Sequence, residues 1–232
     1  GPAISKWEKK KKRRQKNYEL KLTFDINVNM VSREVKSENV VAFIPGNELK
    51  NEVVVLMAHY DHLGKQGEEI FNGADDNATG CAALLEIVEA FNIAKEKGQG
   101  FKRSLLVLWV SGEEKGLLGS RYYCENPYFS FAQTKVALNI DMIGRSDVYH
   151  ENDTTDYLYV IGSDFISEDL HVINEQTNAK YSKLNLDYRY NSKKDPNRFY
   201  YRSDHYNFAK RGVPSIFYFS GTHDDYHTIY DT

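Results

Sequence analysis

Apolar positions along the chain follow two different spacings. From Leu20 to Val31 they alternate with polar ones (Leu22, Phe24, Ile26, Val28), as on a strand with one buried face, and Val40 to Ile44 reads as its partner. An antiparallel sheet edge is therefore expected at the N-terminal side. From Val53 the pattern changes to short unbroken apolar runs, Val53 to Ala58, Leu105 to Val110 and Val136 to Ile140, each the length of a strand covered on both faces. Helical spacing separates them: Ala82, Leu85, Val88 and Phe91 share one face of a helix over Ala78 to Phe91, entered through Thr79-Gly80, and Leu117 to Cys124 gives a shorter one. A strand at Tyr157 to Ile161, helices over Ile166 to Glu175 and Asp204 to Arg211, and a strand at Ser215 to Phe219 continue the alternation. Such alternation predicts an α/β fold, with a mixed, largely parallel central sheet flanked by helices on both faces.

Length and composition add boundaries to this picture. At 232 residues, 41% of them hydrophobic, the chain has material for one domain with a substantial core. That domain is read as residues 39–232, preceded over 1–38 by a basic segment and the edge strand. The run Lys9 to Arg14 is uniformly basic, but a net charge of −3 sets it beside a neutral-to-acidic domain. It reads as a solvated segment, and no nucleic-acid partner is expected. No apolar run approaches the roughly 18 to 20 residues needed to cross a bilayer. The chain opens Gly-Pro rather than Met and is read as a trimmed segment, so the absence of a targeting signal within it excludes no location. Cys81 and Cys124 match no Cys-x-x-Cys pattern, which leaves a single bridge between them open.

In sheets of this class, ligands bind beyond the carboxyl ends of the strands. Here the apolar runs are followed by His59-Tyr60-Asp61-His62, by Ser111-Gly112-Glu113-Glu114, by Asp141, and by a loop ending Tyr226-His227. A further acidic cluster, Gly73-Ala74-Asp75-Asp76-Asn77, precedes the Ala78 helix and can reach the same rim. Imidazole and carboxylate without thiolate suits zinc, and also cobalt or manganese, in hydrolytic sites. Two closely spaced cations need a shared carboxylate and further ligands on each, which two histidines and three carboxylates supply.

The segments AHYDH, GADDNATG, SGEEKGLLGS, LNIDMIG, RSDHYNF and YHTIYDT occur in that order. Together they resemble the co-catalytic two-zinc aminopeptidases, the bacterial leucyl aminopeptidase type, whose clan also includes glutaminyl cyclases and glutamate carboxypeptidases. The resemblance runs from about Asn39 to Thr232. It implies two zinc ions per chain, held by His59 and Asp141 on one side and by Glu114 and His227 on the other, with Asp75 bridging them. It implies Glu113 as general base, Tyr226 as donor to the developing oxyanion, Asp61 as the acceptor that orients His59, and a cis peptide at Asp75-Asp76. His62, Asp204, His205 and His223 are read as structural or outer-layer residues, Arg202 as a candidate substrate contact, and Phe199-Tyr200-Tyr201 as core packing rather than pocket lining. Peptides with a free N-terminus are the implied substrates, and a periplasmic or secreted location the implied setting. The family continues past the His-Thr-Ile-Tyr-Asp-Thr segment into a further helix that residues 1–232 do not include. Three competing readings stand beside this one: a glutaminyl-cyclase-like acyltransferase, a carboxypeptidase of the same clan, and a non-catalytic ectodomain.

Overall fold

The computed structural model of the chain describes residues 23–31, 34–151 and 156–232. By its internal contacts the chain divides into two units, Gly1–Val35 and Lys36–Thr232. In the first, residues 23–31 form no regular secondary structure. The strand expected there is therefore not formed over 23–31, and its beginning, like the basic run Lys9 to Arg14, lies outside the described residues. Alternation with period two supplies a face but does not by itself supply a pairing partner.

The second unit is built on a seven-stranded sheet. Its strands are β1 (Val40–Ile44), β2 (Leu49–His59), β5 (Arg103–Val110), β6 (Thr134–Ile140), β7 (Tyr157–Ile161), β8 (Asn185–Asp187) and β9 (Ser215–Phe219), with β3 (Gly64–Gln66) and β4 (Glu69–Phe71) forming a separate hairpin. The order across the sheet is β1-β5-β2-β6-β9-β7-β8. The middle block β5-β2-β6-β9 is parallel. β1 pairs antiparallel with β5, Val40 opposite Trp109 and Ile44 opposite Leu105, and β7 pairs antiparallel with β9. Val40 to Ile44 is thus an edge strand as expected, but its partner is the apolar run Leu105 to Val110.

Period-two burial shows why the central runs read as continuously apolar. On β2, Val53, Val55 and Met57 enter a core shared with Leu106, Leu108 and Val110 of β5, while Leu56 and Ala58 enter the opposite one with Leu105 and Val107. The first face is covered by Tyr123 and Cys124 of α2 (Leu118–Glu125) and Phe208 of α4 (His205–Ala209), the second by Leu84, Ile87, Val88 and Phe91 of α1 (Gly80–Glu96). Helices therefore lie on both faces, and each fully buried Val or Met side chain contributes about 1.5–3 kcal/mol of transfer free energy. A third, aromatic-rich core joins Met142, Tyr159, Ile161, Phe199, Phe217 and Phe219 around β7 and β9. Beyond it, α3 (Glu168–Thr177) starts at Ser167, whose side chain accepts from Leu170 N–H.

Cys81 and Cys124 are both unpaired, on helices at opposite faces of the sheet. Burial pushes their thiols up, Cys81 to about 11 and Cys124 to about 12.

Candidate metal centre

Because β5, β2, β6 and β9 run parallel, their carboxyl ends deliver side chains to one rim. His59 is the last residue of β2 and Asp141 follows β6 directly; Glu113 and Glu114 occupy the turn after β5, and His227 the segment after β9. The structure brings all five together. His59 Nε2 lies 3.1 Å from Asp76 Oδ1 and 3.2 Å from Asp141 Oδ1. His227 Nε2 lies 3.1 Å from Asp76 Oδ2 and 3.2 Å from Glu114 Oε2. One carboxylate, that of Asp76, stands between the two groups and offers one oxygen to each.

The shared carboxylate is one residue away from the expected one. Asp75 faces away from the rim: its Oδ1 accepts from Gly144 N–H at 2.6 Å and from Thr79 Oγ1 at 3.0 Å, and its Oδ2 meets His223 Nε2 at 3.3 Å. The turn Ala74–Thr79 places the two neighbours on opposite sides, since Asp76 (φ −106°, ψ 81°) and Asn77 (φ −139°, ψ 48°) are not helical. The cis peptide likewise falls at Asp76-Asn77 and not at Asp75-Asp76. Asp231 holds this arrangement by accepting both backbone N–H groups, Asp75 at 2.8 Å and Asp76 at 3.1 Å. On the far side the Asn77 amide donates to Ile140 C=O and accepts from Gly80 and Met142 N–H. Adjacent acids alternate sides, and spacing alone cannot say which side is the rim. The available signal was Thr79, four residues after Asp75 and able to bond it.

Asp61 also acts differently from expectation. His59 Nδ1 pairs at 2.9 Å with the backbone carbonyl of Asp61, whereas the Asp61 carboxylate is 3.8 Å away. That carboxylate instead accepts Glu113 N–H at 3.1 Å and Glu114 N–H at 3.4 Å. It anchors the turn carrying both glutamates, while the ring of His59 is oriented by main chain. His62, read from sequence as an outer residue, sits inside the rim, its Nδ1 2.9 Å from Glu114 Oε1.

Residues 39–232 match the model of Peptidase family M28. The chain belongs to this family. It is 29% identical over 202 residues to Leucine aminopeptidase 1 of Sclerotinia sclerotiorum, a match covering 84% of this chain and 49% of that protein. Its fold resembles that of BSAP, a zinc aminopeptidase from Bacillus subtilis (TM-score 0.62, 22% identity, 84% of this chain and 44% of the other). It also resembles that of the glutaminyl cyclase of Porphyromonas gingivalis (TM-score 0.60, 22% identity, 84% and 69%). The chain thus spans about half the length of the leucine aminopeptidase it matches.

The electrostatics of this M28 centre follow from carboxylates and imidazoles crowded at one rim. Burial alone would lower the imidazole of His59, but the charge and hydrogen bond of Asp141, with Asp76, raise it well above its ordinary value. Asp76 and Glu114 raise His227 to about 9. Against the cost of burial, His227 and His59 hold Asp76 below the usual carboxylate range. Burial, and then the negative charge of Asp141, push Glu113 up to about 10. Protons are drawn onto His59, His227 and Glu113, while Asp76 is held ionised between its two imidazoles. Asp76 Oδ2 and Glu114 Oε1 are moreover buried without a hydrogen-bond partner. Hard-to-borderline divalent cations, zinc above all, fit such nitrogen and oxygen donors.

Beside the cluster a cleft is lined by Glu113, Met142, Phe199, Arg202, Phe217 and Tyr226, among others. Its floor is the aromatic core, so Phe199 lines the cleft while Tyr200 packs behind it. Tyr226 stacks on His227 with ring centroids 3.9 Å apart and lies 3.4 Å from Arg202 Nη2. Burial and the charge of Asp76 hold the Tyr226 hydroxyl protonated, above its ordinary value. Among the described residues no helix is long and apolar enough to cross a membrane.

Proposed function

We propose that this chain carries the catalytic centre of an aminopeptidase that hydrolyses the N-terminal peptide bond of peptides, using two zinc ions. The supporting observation is the position of Asp76, one oxygen toward His59 and Asp141 and the other toward Glu114 and His227. A carboxylate with a separate imidazole-carboxylate pair on each oxygen suits two cations about 3.5–4 Å apart. Asp76 would take the bridging place, His59 and Asp141 would hold one ion, and Glu114 and His227 the other. Zinc held there would polarise a substrate carbonyl and acidify water.

The chain's own groups supply the proton handling. Glu113 lines the cleft next to Asp76 and Asp141, is not itself among the paired ligand groups, and is the general base that takes the proton of the attacking water and returns it to the leaving amine. Its high proton affinity comes from burial and Asp141, and cations on Asp141 and Asp76 would oppose that second cause and leave the carboxylate free to accept. Tyr226, held protonated at the cleft wall, is placed to donate to the oxygen that gains charge, a type of contact worth about 3 kcal/mol. Asp61 keeps Glu113 in register through the backbone. The apolar side of the cleft favours an apolar first side chain. A periplasmic or secreted setting is part of this reading and rests on the family resemblance.

The test is a zinc-loaded assay on matched peptides with free and acetylated N-termini, including peptides beginning with Gln. Release of the first amino acid from the free peptides only is expected. Equal cleavage of the acetylated set, release from the carboxyl end, or ammonia loss from the Gln peptides without amino-acid release would each overturn the assignment.

A further inference from the structure

We propose that His62 is a sixth ligand residue of the centre, giving the Glu114 side two histidines; this rests on the two-cation reading above. Its side chain is 6% exposed, and its Nδ1 stands 2.9 Å from Glu114 Oε1 and 3.6 Å from Asp76 Oδ2. Neither ring nitrogen of His62 is aligned for a hydrogen bond, and neither are those two oxygens. A nitrogen gathered at contact distance with oxygens, yet off the hydrogen-bond axis, is how donor atoms sit when they converge on a common centre. Donors about 2.0–2.2 Å from one tetrahedral zinc stand roughly 3.3 Å from one another. The donor atoms of His62, Asp76 and Glu114 all lie within 4.8 Å of one another, as do those of His59, Asp76 and Asp141.

Glu114 is shared between two imidazoles, with Oε1 toward His62 and Oε2 toward His227 at 3.2 Å. The two rings meet edge-on with centroids 5.7 Å apart. The main chain leaves room for this ring and nothing larger beside it. Gly73 has φ +68°, and a Cβ there would lie 2.5 Å from His62 Cγ and 2.3 Å from the Asp76 carbonyl oxygen. The glycine that opens the Asp75-Asp76 turn therefore also admits His62.

An asymmetry between the two positions follows. The Asp141 side has His59, Asp141 and the shared Asp76, three protein ligands and an open place, as in catalytic zinc sites. The Glu114 side, with Glu114, His62, His227 and Asp76, has four. The Glu114 side, with one more protein donor, would then hold its cation more tightly and fill first.

The protein with all its histidines labelled with nitrogen-15 and loaded with zinc tests this by long-range proton–nitrogen correlation. Three imidazoles with a zinc-shifted ring nitrogen are expected, one of which disappears in His62→Gln. Chelator competition should show the tighter zinc of His62→Gln weakened more than about 100-fold, beyond the roughly 10- to 100-fold that loss of an outer partner costs. Two zinc-shifted imidazoles with a protonated His62 Nδ1, while the wild type still binds two zinc ions, would overturn the role of His62 and leave the two-cation reading standing. Fewer than two zinc ions on the wild type would overturn both. If His62→Gln fails to fold by circular dichroism, the wild-type spectrum alone decides between three and two.

Discussion

Asp231 is fully buried, and its two carboxylate oxygens each accept one backbone N–H of the turn that presents Asp76. Asp231→Ala removes both acceptors at once. A hydrogen bond to a charged group contributes about 1.5–3 kcal/mol, so the pair accounts for about 3–6 kcal/mol, and the two N–H groups are left buried. The bond from Ala74 N–H to the Asp231 backbone carbonyl at 3.2 Å does not use the side chain and survives the change. Asp231→Asn keeps one acceptor oxygen and turns an NH2 toward the second donor, so it should lose about half of the effect or more. For a domain of this size each 1 kcal/mol moves Tm by about 2–4 °C, which puts the alanine variant about 6–24 °C below wild type. The assay is calorimetry or urea unfolding of the metal-free protein, repeated with zinc. Since the same two bonds orient Asp76, the stabilisation that zinc adds should also shrink in both variants. Alanine at 231 within about 1 kcal/mol of wild type, with the zinc increment intact, would refute the argument that this carboxylate sets the turn.

Other expectations follow from the same geometry. Glu113→Gln keeps the shape of a side chain that is not among the paired ligands; it should retain zinc by elemental analysis while kcat falls by about 10²- to 10⁴-fold, and near-wild-type turnover would remove Glu113 as the base. His205 is fully buried, stacked on Phe217, and burial lowers its imidazole to about 3. The unfolded chain binds a proton that the folded one refuses, so stability is lost as pH falls below the ordinary value near 6.5 and continues to fall towards 3, at up to about 1.4 kcal/mol per pH unit. Urea unfolding of metal-free wild type and His205→Phe from pH 7 to 4 should show the variant losing less; parallel curves would contradict the neutral, buried state of this ring.

Much of the fold was legible because burial on both faces leaves an unmistakable trace. Tyr157 to Ile161 and Ser215 to Phe219 are strands with the expected limits, and the three central runs lie inside β2, β5 and β6. Helix limits were less legible. α1 begins at Gly80 because the preceding turn is wider than a helical one, and α4 ends at Ala209 because Arg211 and Gly212 N–H bond three residues back, to Phe208 and Ala209 C=O. The hairpin of β3 and β4 carries almost no buried side chain and so leaves no hydrophobic signature. At the site, strand-end placement located His59, Glu113, Glu114 and Asp141, because the position of such residues is set by a rigid sheet. What it could not resolve was the direction of a side chain within a turn. Asp75 and Asp76 differ by a local backbone reversal, and the main chain of Asp61 takes the part expected of its carboxylate. The approach of His62 to Glu114 was not legible because it depends on the space left by Gly73, ten positions or more along the chain.

The central claim is that the Asp76 carboxylate bridges two cations. Anomalous scattering at the zinc edge from crystals of the zinc-loaded protein tests it most directly. The account predicts two peaks astride the Asp76 carboxylate, one near His59 and Asp141 and the other near Glu114 and His227. A single peak, or a peak between Asp75 and His223 with none beside Asp76, would contradict it.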